Sequence, residues 1–178
     1  VPKKEMIQFA QHNEERMLPK LLGKLEKSNG ALVSDAGTPG ISDPGFRLVR
    51  ACVEKNIPII PIPGPSAAIT ALSASGLPTD SFTFLGFVPK TEIKLIKELS
   101  AALGASSTVV FYESPQRIIK TIGYIAKTFP EAQITVAREL TKLHEEFIRG
   151  TPSEILNKLN QKSTIKGEFV VLLSNPKR

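Results

Sequence analysis

Tryptophan is missing from this chain, and tyrosine occurs only twice among its 178 residues. A single cysteine, Cys52, excludes an internal disulfide and suits a reducing, cytoplasmic setting. Its surroundings, Leu48-Val49-Arg50-Ala51-Cys52-Val53, predict a buried helical thiol and not a nucleophile. With one Cys and two distant histidines, His12 and His144, no metal site is expected. His144-Glu145-Glu146 is not His-Glu-x-x-His, and Ser66 lacks the Gly-x-Ser-x-Gly of a nucleophile elbow. No apolar run approaches the roughly 18 residues of a membrane span, and no signal-peptide core follows Val1, so no membrane association is expected. The chain does not begin with Met, and sequence upstream of Val1 is expected.

Hydrophobic residues make up 41% of the chain, enough for a real core. The net charge is +6. It divides as +2 over residues 1–78 and +4 over residues 79–178, without a dense basic tract. A polyanionic partner is permitted but not required.

The most informative stretch is Val33-Ser34-Asp35-Ala36-Gly37-Thr38-Pro39-Gly40-Ile41-Ser42-Asp43-Pro44-Gly45. It follows the apolar run Ala31-Leu32-Val33 and precedes a helical pattern. A strand, a glycine-rich turn and a helix start are where open α/β sheets bind small ligands. It contains neither Gly-x-Gly-x-x-Gly nor Gly-Lys-Ser/Thr, and no basic side chain lies between Ser34 and Phe46. A ligand without phosphates, such as a cation, fits Asp35 and Asp43 better than a nucleotide does. A plain strand-to-helix connection is the competing reading.

Asn13 predicts a helix running to about Lys27, with Leu18, Leu21, Leu22 and Leu25 at helical spacing. Strands are expected at 31–34 and 57–62, a helix at about 44–55 opened by Asp43-Pro44, and a second turn at Pro63-Gly64-Pro65-Ser66 leading into a helix at 67–74. After Gly76-Leu77-Pro78 the pattern restarts. Strands are expected at 82–87, 108–112, 134–137, 146–149 and 169–173, and helices at 92–103, 115–128 and 152–161. The fold class is α/β with two lobes, 1–78 and 79–178. The first lobe has too few strands for a sheet and is expected to be truncated at its N-terminus.

Four motifs in order carry a resemblance. They are Ser34–Gly45, Pro61-Ile62-Pro63-Gly64-Pro65-Ser66-Ala67, Phe111-Tyr112-Glu113-Ser114-Pro115 and Ala137-Arg138-Glu139-Leu140-Thr141-Lys142. With His12-Asn13-Glu14 and Lys166-Gly167-Glu168, the chain resembles the tetrapyrrole methylase family, in the branch that methylates small-subunit ribosomal RNA. The resemblance implies a two-lobed enzyme that binds S-adenosyl-L-methionine between its lobes. It implies 2′-O-methylation of a cytidine in the decoding region of 16S rRNA, and a cytoplasmic homodimer. Members open with a strand and a Pro-Ile-Gly-Asn-type loop that this chain does not contain. After Gly86-Phe87-Val88-Pro89-Lys90, Thr91-Glu92-Ile93-Lys94 interrupts the Arg/Lys cluster of relatives.

Carried over by motif, cofactor contacts fall on Ala36, Gly37, Thr38, Ile41, Ser66, Ala67, Glu113 and Leu140. RNA contacts are expected on Lys90, Lys94, Arg117 and Arg138. The general base is not identified; Asp35, Asp43, Glu113 and Glu139 are candidates, each equally suited to a cap, a turn or an ion pair. Val109-Val110-Phe111-Tyr112 reads as core, with Tyr112 as the one candidate for a base-stacking ring. Two other readings stay open: a tetrapyrrole or other small-molecule methyltransferase, and a fragment that binds RNA or dimerises without catalysis.

Overall fold

A computed structural model describes residues 5–175. The chain divides into two compact units, Val1–Ser66 and Ala67–Arg178, so the division falls ahead of the 78/79 boundary expected from the Gly76–Pro78 linker.

The first unit contains α1 (Glu14–Leu25) and α2 (Phe46–Glu54). Leu22 of α1 packs with Leu48 and Cys52 of α2, and Phe9, Leu18, Leu21 and Ile57 border that small core. Cys52 is buried, and burial pushes its thiol pKa up. Asn13 is the N-cap position of α1, but its side chain turns backward and accepts the Ala10 N–H at 2.8 Å.

Three expectations fail here. Asp43-Pro44 does not start α2: Gly45, at φ 144°, breaks the backbone after it, and the helix opens at Phe46. Neither 31–34 nor 57–62 is a strand. A strand exists only as part of a hydrogen-bonded ladder, and neither segment pairs with another among the described residues. Pro58 and Pro61 also remove two ladder donors from the second segment. Both runs leave apolar side chains in solvent, with Val33 71%, Ile60 80% and Ile62 77% exposed.

The second unit holds α3 (Ala67–Ser73), β1 (Phe82–Phe87), α4 (Glu92–Ala105), β2 (Thr108–Glu113), α5 (Ile118–Thr128), β3 (Gln133–Arg138), β4 (Glu146–Gly150), α6 (Pro152–Asn160) and β5 (Phe169–Ser174). The strands form one mixed sheet in the order β1-β2-β5-β3-β4. β1 and β2 are parallel; the other three pairings are antiparallel. β5 is buried along its whole length, as its unbroken run Phe-Val-Val-Leu-Leu-Ser demands of a strand covered on both faces.

Successive side chains on a strand point to opposite faces. Val109, Phe111, Val171 and Leu173 therefore face α4, α5 and α6, where Leu95, Leu99, Ile118, Ile122, Ile155 and Leu159 complete the larger core. Val110, Val170 and Leu172 face α3, through Ala68, Ala71 and Leu72. α6 is closed by a capping box, with the Thr151 N–H donating to Glu154 Oε2 at 2.8 Å and the Glu154 N–H to Thr151 Oγ1 at 3.4 Å.

β1 is not a regular strand. Phe84 pairs with Val110, but Phe87, three residues on, pairs with Tyr112, two residues on. The extra residue is a bulge, and Gly86 at φ 64° absorbs it.

Candidate functional site

In the first unit, the loop 34–45 is built from left-handed positions. Gly37, Gly40 and Ser42 have φ of 76°, 83° and 59°. The Ser34 hydroxyl lies within hydrogen-bonding reach of the Ala36 and Gly37 carbonyls, at 3.2 and 3.0 Å. The Thr38 hydroxyl donates to the Pro65 carbonyl at 3.0 Å. That bond joins the two Gly/Pro turns, which lie 27 residues apart. A Cβ on Gly64 would stand 3.3 Å from Thr38 Oγ1, a tight contact that would push the hydroxyl by a few tenths of an ångström. At Gly45 a Cβ would meet Leu32 Cδ2 at 2.9 Å and the Gly40 backbone at 3.2 Å.

Behind the loop, Glu14 is buried and accepts the Gly45 N–H at 3.2 Å. Arg47 stands 4.0 Å from Glu14 and pairs with Glu15. Gln11, Glu14, Ser42, Asp43 and Arg47 line a shallow depression at the loop's end. Asp35, Ala36, Gly37, Ile41 and Asp43 are exposed, and Ser66 is half-buried at the foot of the second turn. Seven expected residues, Asp35, Ala36, Gly37, Thr38, Ile41, Asp43 and Ser66, thus lie on two turns tied together within one unit. Ala67, the next residue in the chain, begins α3 and is exposed.

In the second unit, Glu113 ends β2 and its side chain is wholly enclosed. Its oxygens accept from the Ser114 N–H and the Thr121 hydroxyl, each at 2.7 Å, and it forms an ion pair with Arg117 Nη2 at 3.0 Å. The same Arg117 nitrogen donates to the Val88 and Pro89 carbonyls at 2.9 and 3.1 Å. Glu113 and Arg117 therefore form a strap that holds the segment after β1.

Arg138 is also committed inside the unit. Its Nε donates to the Lys166 carbonyl at 2.7 Å, and its Nη1 lies 3.4 Å from Glu146. Partial burial of Glu146 opposes its ionisation, but Lys162 and Arg138 outweigh that and hold its carboxyl below the ordinary range. Glu139 and Thr141 are left-handed, at φ 50° and 63°. Glu139 Oε1 accepts the Glu168 N–H at 2.9 Å and pairs with Lys142 at 3.0 Å, and these two contacts lower its pKa. A Cβ on Gly167 would collide with Glu139 Cγ at 2.6 Å, which explains glycine there. Leu140 packs on the α3-side core.

Lys90 and Lys94 are exposed, and no acidic side chain among the described residues pairs with either. Glu92, between them, pairs with Lys127 at 3.2 Å. Phe87 is a residue that its sequence context does not single out. It is 65% exposed, and its ring lies 5.6 Å from that of Tyr112. Tyr112 is only half-exposed and also packs edge-on against Phe84 at 5.0 Å. Phe87's odd spacing from Phe84 hides this, because only the bulge puts both on one face. Among the described residues no helix is long and apolar enough to cross a membrane, and no three His, Cys, Asp or Glu are grouped to hold a metal.

The family model for tetrapyrrole (corrin/porphyrin) methylases matches residues 2–156. A ribosomal RNA small subunit methyltransferase I from Hydrogenobaculum sp. (strain Y04AAS1) is 44% identical over 96% of this chain and 74% of its own length. The proteins of the same name from Synechocystis sp. (strain ATCC 27184 / PCC 6803 / Kazusa) and Bacillus subtilis (strain 168) are 45% and 40% identical, each over 94% of this chain. This chain spans 61% and 58% of their lengths. Among solved structures, diphthine synthase superposes with a TM-score of 0.74 at 11% identity, covering 97% of this chain and 70% of that one. The methyltransferase CobJ superposes with a TM-score of 0.64 at 20% identity, covering 89% and 70%. A uroporphyrin-III C-methyltransferase from Thermus thermophilus, complexed with S-adenosyl homocysteine, gives 0.56 at 14% identity, covering 93% and 75%. The chain belongs to the tetrapyrrole methylase family and, within it, to the ribosomal RNA small subunit methyltransferase I group.

Proposed function

We propose that the protein to which this chain belongs transfers a methyl group from S-adenosyl-L-methionine to the 2′-oxygen of a cytidine in the 16S rRNA of the small ribosomal subunit. The observation that carries this reading is the Thr38–Pro65 bond, which joins two Gly/Pro turns into one surface without a basic side chain between Ser34 and Phe46. Such a surface fits a ligand that carries a sulfonium cation and no phosphate. Gly37 and Gly40, at positive φ, let the backbone lie against it.

Ala36, Gly37, Thr38, Ile41 and Ser66 are the proposed cofactor contacts on the first unit. When bound, the cofactor supplies an electrophilic methyl group. The chain's own task is to hold the ribose oxygen about 3 Å from that carbon and in line with the departing sulfur. The hydroxyl proton needs an acceptor. Asp35 and Asp43 are exposed on the cofactor loop and are the proposed candidates. Glu139, held ionised by the Glu168 N–H and Lys142, is the weaker base for that reason. Glu113, bonded by the Ser114 N–H and the Thr121 hydroxyl and paired with Arg117, braces the segment after β1.

Lys90 and Lys94 are the proposed phosphate contacts, because no acidic side chain among the described residues competes for them. Arg117 and Arg138 act through the segments they brace. Self-association as a homodimer and a cytoplasmic location belong to the same proposal. The test is incubation of small ribosomal subunits with labelled S-adenosyl-L-methionine, followed by nucleoside mass spectrometry. 2′-O-methylcytidine is expected; a base-methylated nucleoside, or transfer only to a tetrapyrrole, would contradict it.

A further inference from the structure

The proposed RNA substrate leaves one feature unexplained. A bulge turns Phe87 to the face of Phe84 and Tyr112, and the residue is 65% exposed. In a regular strand an odd spacing would send Phe87 to the opposite face, where Leu85 joins the larger core. An apolar ring would then be covered. Bulges of this kind re-aim a side chain, and they cluster beside active sites.

The ring is held as well as exposed. Tyr112 packs against it with the two planes 65° apart, and Phe84 packs in turn against Tyr112 at 68°. The next two residues, Val88 and Pro89, are pinned by Arg117, itself fixed by buried Glu113. Lys90 follows three residues after the ring and Lys94 lies in the first turn of α4, both without an acidic partner among the described residues. A fixed aromatic ring beside uncompensated cations matches single-stranded nucleic acid, in which an exposed base can stack while neighbouring phosphates meet positive charge.

We propose that Phe87 is a base-stacking subsite that receives an unpaired nucleobase of the RNA substrate, with Lys90 and Lys94 meeting the flanking phosphates. This subsite rests on the proposal that RNA is the substrate. The bulge sets the ring's direction, Tyr112 its tilt, and the Arg117–Glu113 strap its distance from the lysines.

The chain has no tryptophan, so F87W gives a single-tryptophan reporter. The probes are a single-stranded cytidine-rich RNA oligonucleotide and heparin, a polyanion without bases. F87W is expected to bind the RNA within about twofold of wild type and to lose emission on binding, whereas heparin binds without that loss. F87L should weaken RNA binding about tenfold with an unchanged salt slope, while the K90E/K94E pair flattens the slope. Equal RNA affinity for F87L and wild type, or equal quenching by heparin, overturns the subsite alone. A shift of F87L from dimer to monomer in sedimentation overturns it in favour of a contact between copies. A wild-type protein that does not bind the RNA overturns both the subsite and the RNA substrate. Cooperative melting of F87L and F87W at the wild-type temperature shows that the comparison is between folded proteins.

Discussion

The two units of this chain are stabilised in different ways. The second has a five-stranded sheet covered on both faces, with Val109, Phe111, Val171, Leu172 and Leu173 wholly buried. The first has two helices around Leu22, Leu48 and Cys52, and no strand among its described residues. Yet the first carries the more tightly specified loop, with left-handed Gly37, Gly40 and Ser42, a buried Glu14 beneath it and a hydroxyl tie to the second turn. Local hydrogen bonds and glycine geometry can shape a loop without a large core. Resistance of a whole unit to unfolding needs the buried area.

The largest expected effect strikes that difference directly. Ile122→Ala in α5 removes a fully buried side chain from the larger core and should cost about 3–5 kcal/mol. Leu22→Ala, in the smaller core, should cost about half as much. Native-state hydrogen exchange should show β2 and β5 amides opening only globally and α1 and α2 amides opening locally; equal protection in both would erase the distinction.

The next effect isolates the loop from the core. Gly37→Val places a branched side chain at φ 76°, so S-adenosyl-L-methionine binding should fall at least tenfold, about 1.4 kcal/mol. Calorimetry that finds wild-type affinity, with an intact circular dichroism spectrum, would separate the loop from the cofactor. Thr151→Ala removes one half of the α6 capping box and should lower stability by about 1 kcal/mol, read in denaturant titration. Cofactor affinity should stay at the wild-type value in that variant; a change would tie α6 to the site.

The smallest effect is a pH dependence. The Glu168 N–H and Lys142 lower the pKa of Glu139; burial opposes but Lys162 and Arg138 lower that of Glu146. For a depressed carboxyl, the added stability is complete above its unfolded-state value and is lost as pH falls through the folded-state value. Glu139→Gln and Glu146→Gln should each flatten the acid limb of the stability curve below about pH 4–5 and leave its shape at higher pH unchanged. An unchanged acid limb in both variants would mean that these ion pairs do not stabilise the β3–β4 end.

The second unit is legible in the sequence because its signals are redundant. The expected ranges of its five strands and of α4, α5 and α6 all fall on observed elements. In the first unit the same apolar runs mislead, since 31–34 and 57–62 read as strands but a sequence does not show who pairs with whom. Asp43-Pro44 has the chemistry of a helix start, and one glycine just after it moves the start to Phe46. At the candidate site, the turn geometry of the loop is legible from its glycines. The engagement of Arg117 and Arg138 with backbone carbonyls is not, because a positive charge in sequence says nothing about what it faces. The bulge at Gly86, and with it the exposure of Phe87, depends on a register that only pairing with β2 defines.

The central claim is that the two joined turns hold a methyl donor used on a ribose of small-subunit RNA. Its most direct test is methyl transfer from labelled S-adenosyl-L-methionine to small ribosomal subunits by wild type and Gly37→Val, with the product nucleoside identified by mass spectrometry. The expected result is 2′-O-methylcytidine from wild type, and at limiting cofactor a rate at least about tenfold lower from the variant. Equal rates from the two proteins, or a product other than a 2′-O-methylated cytidine, would contradict it.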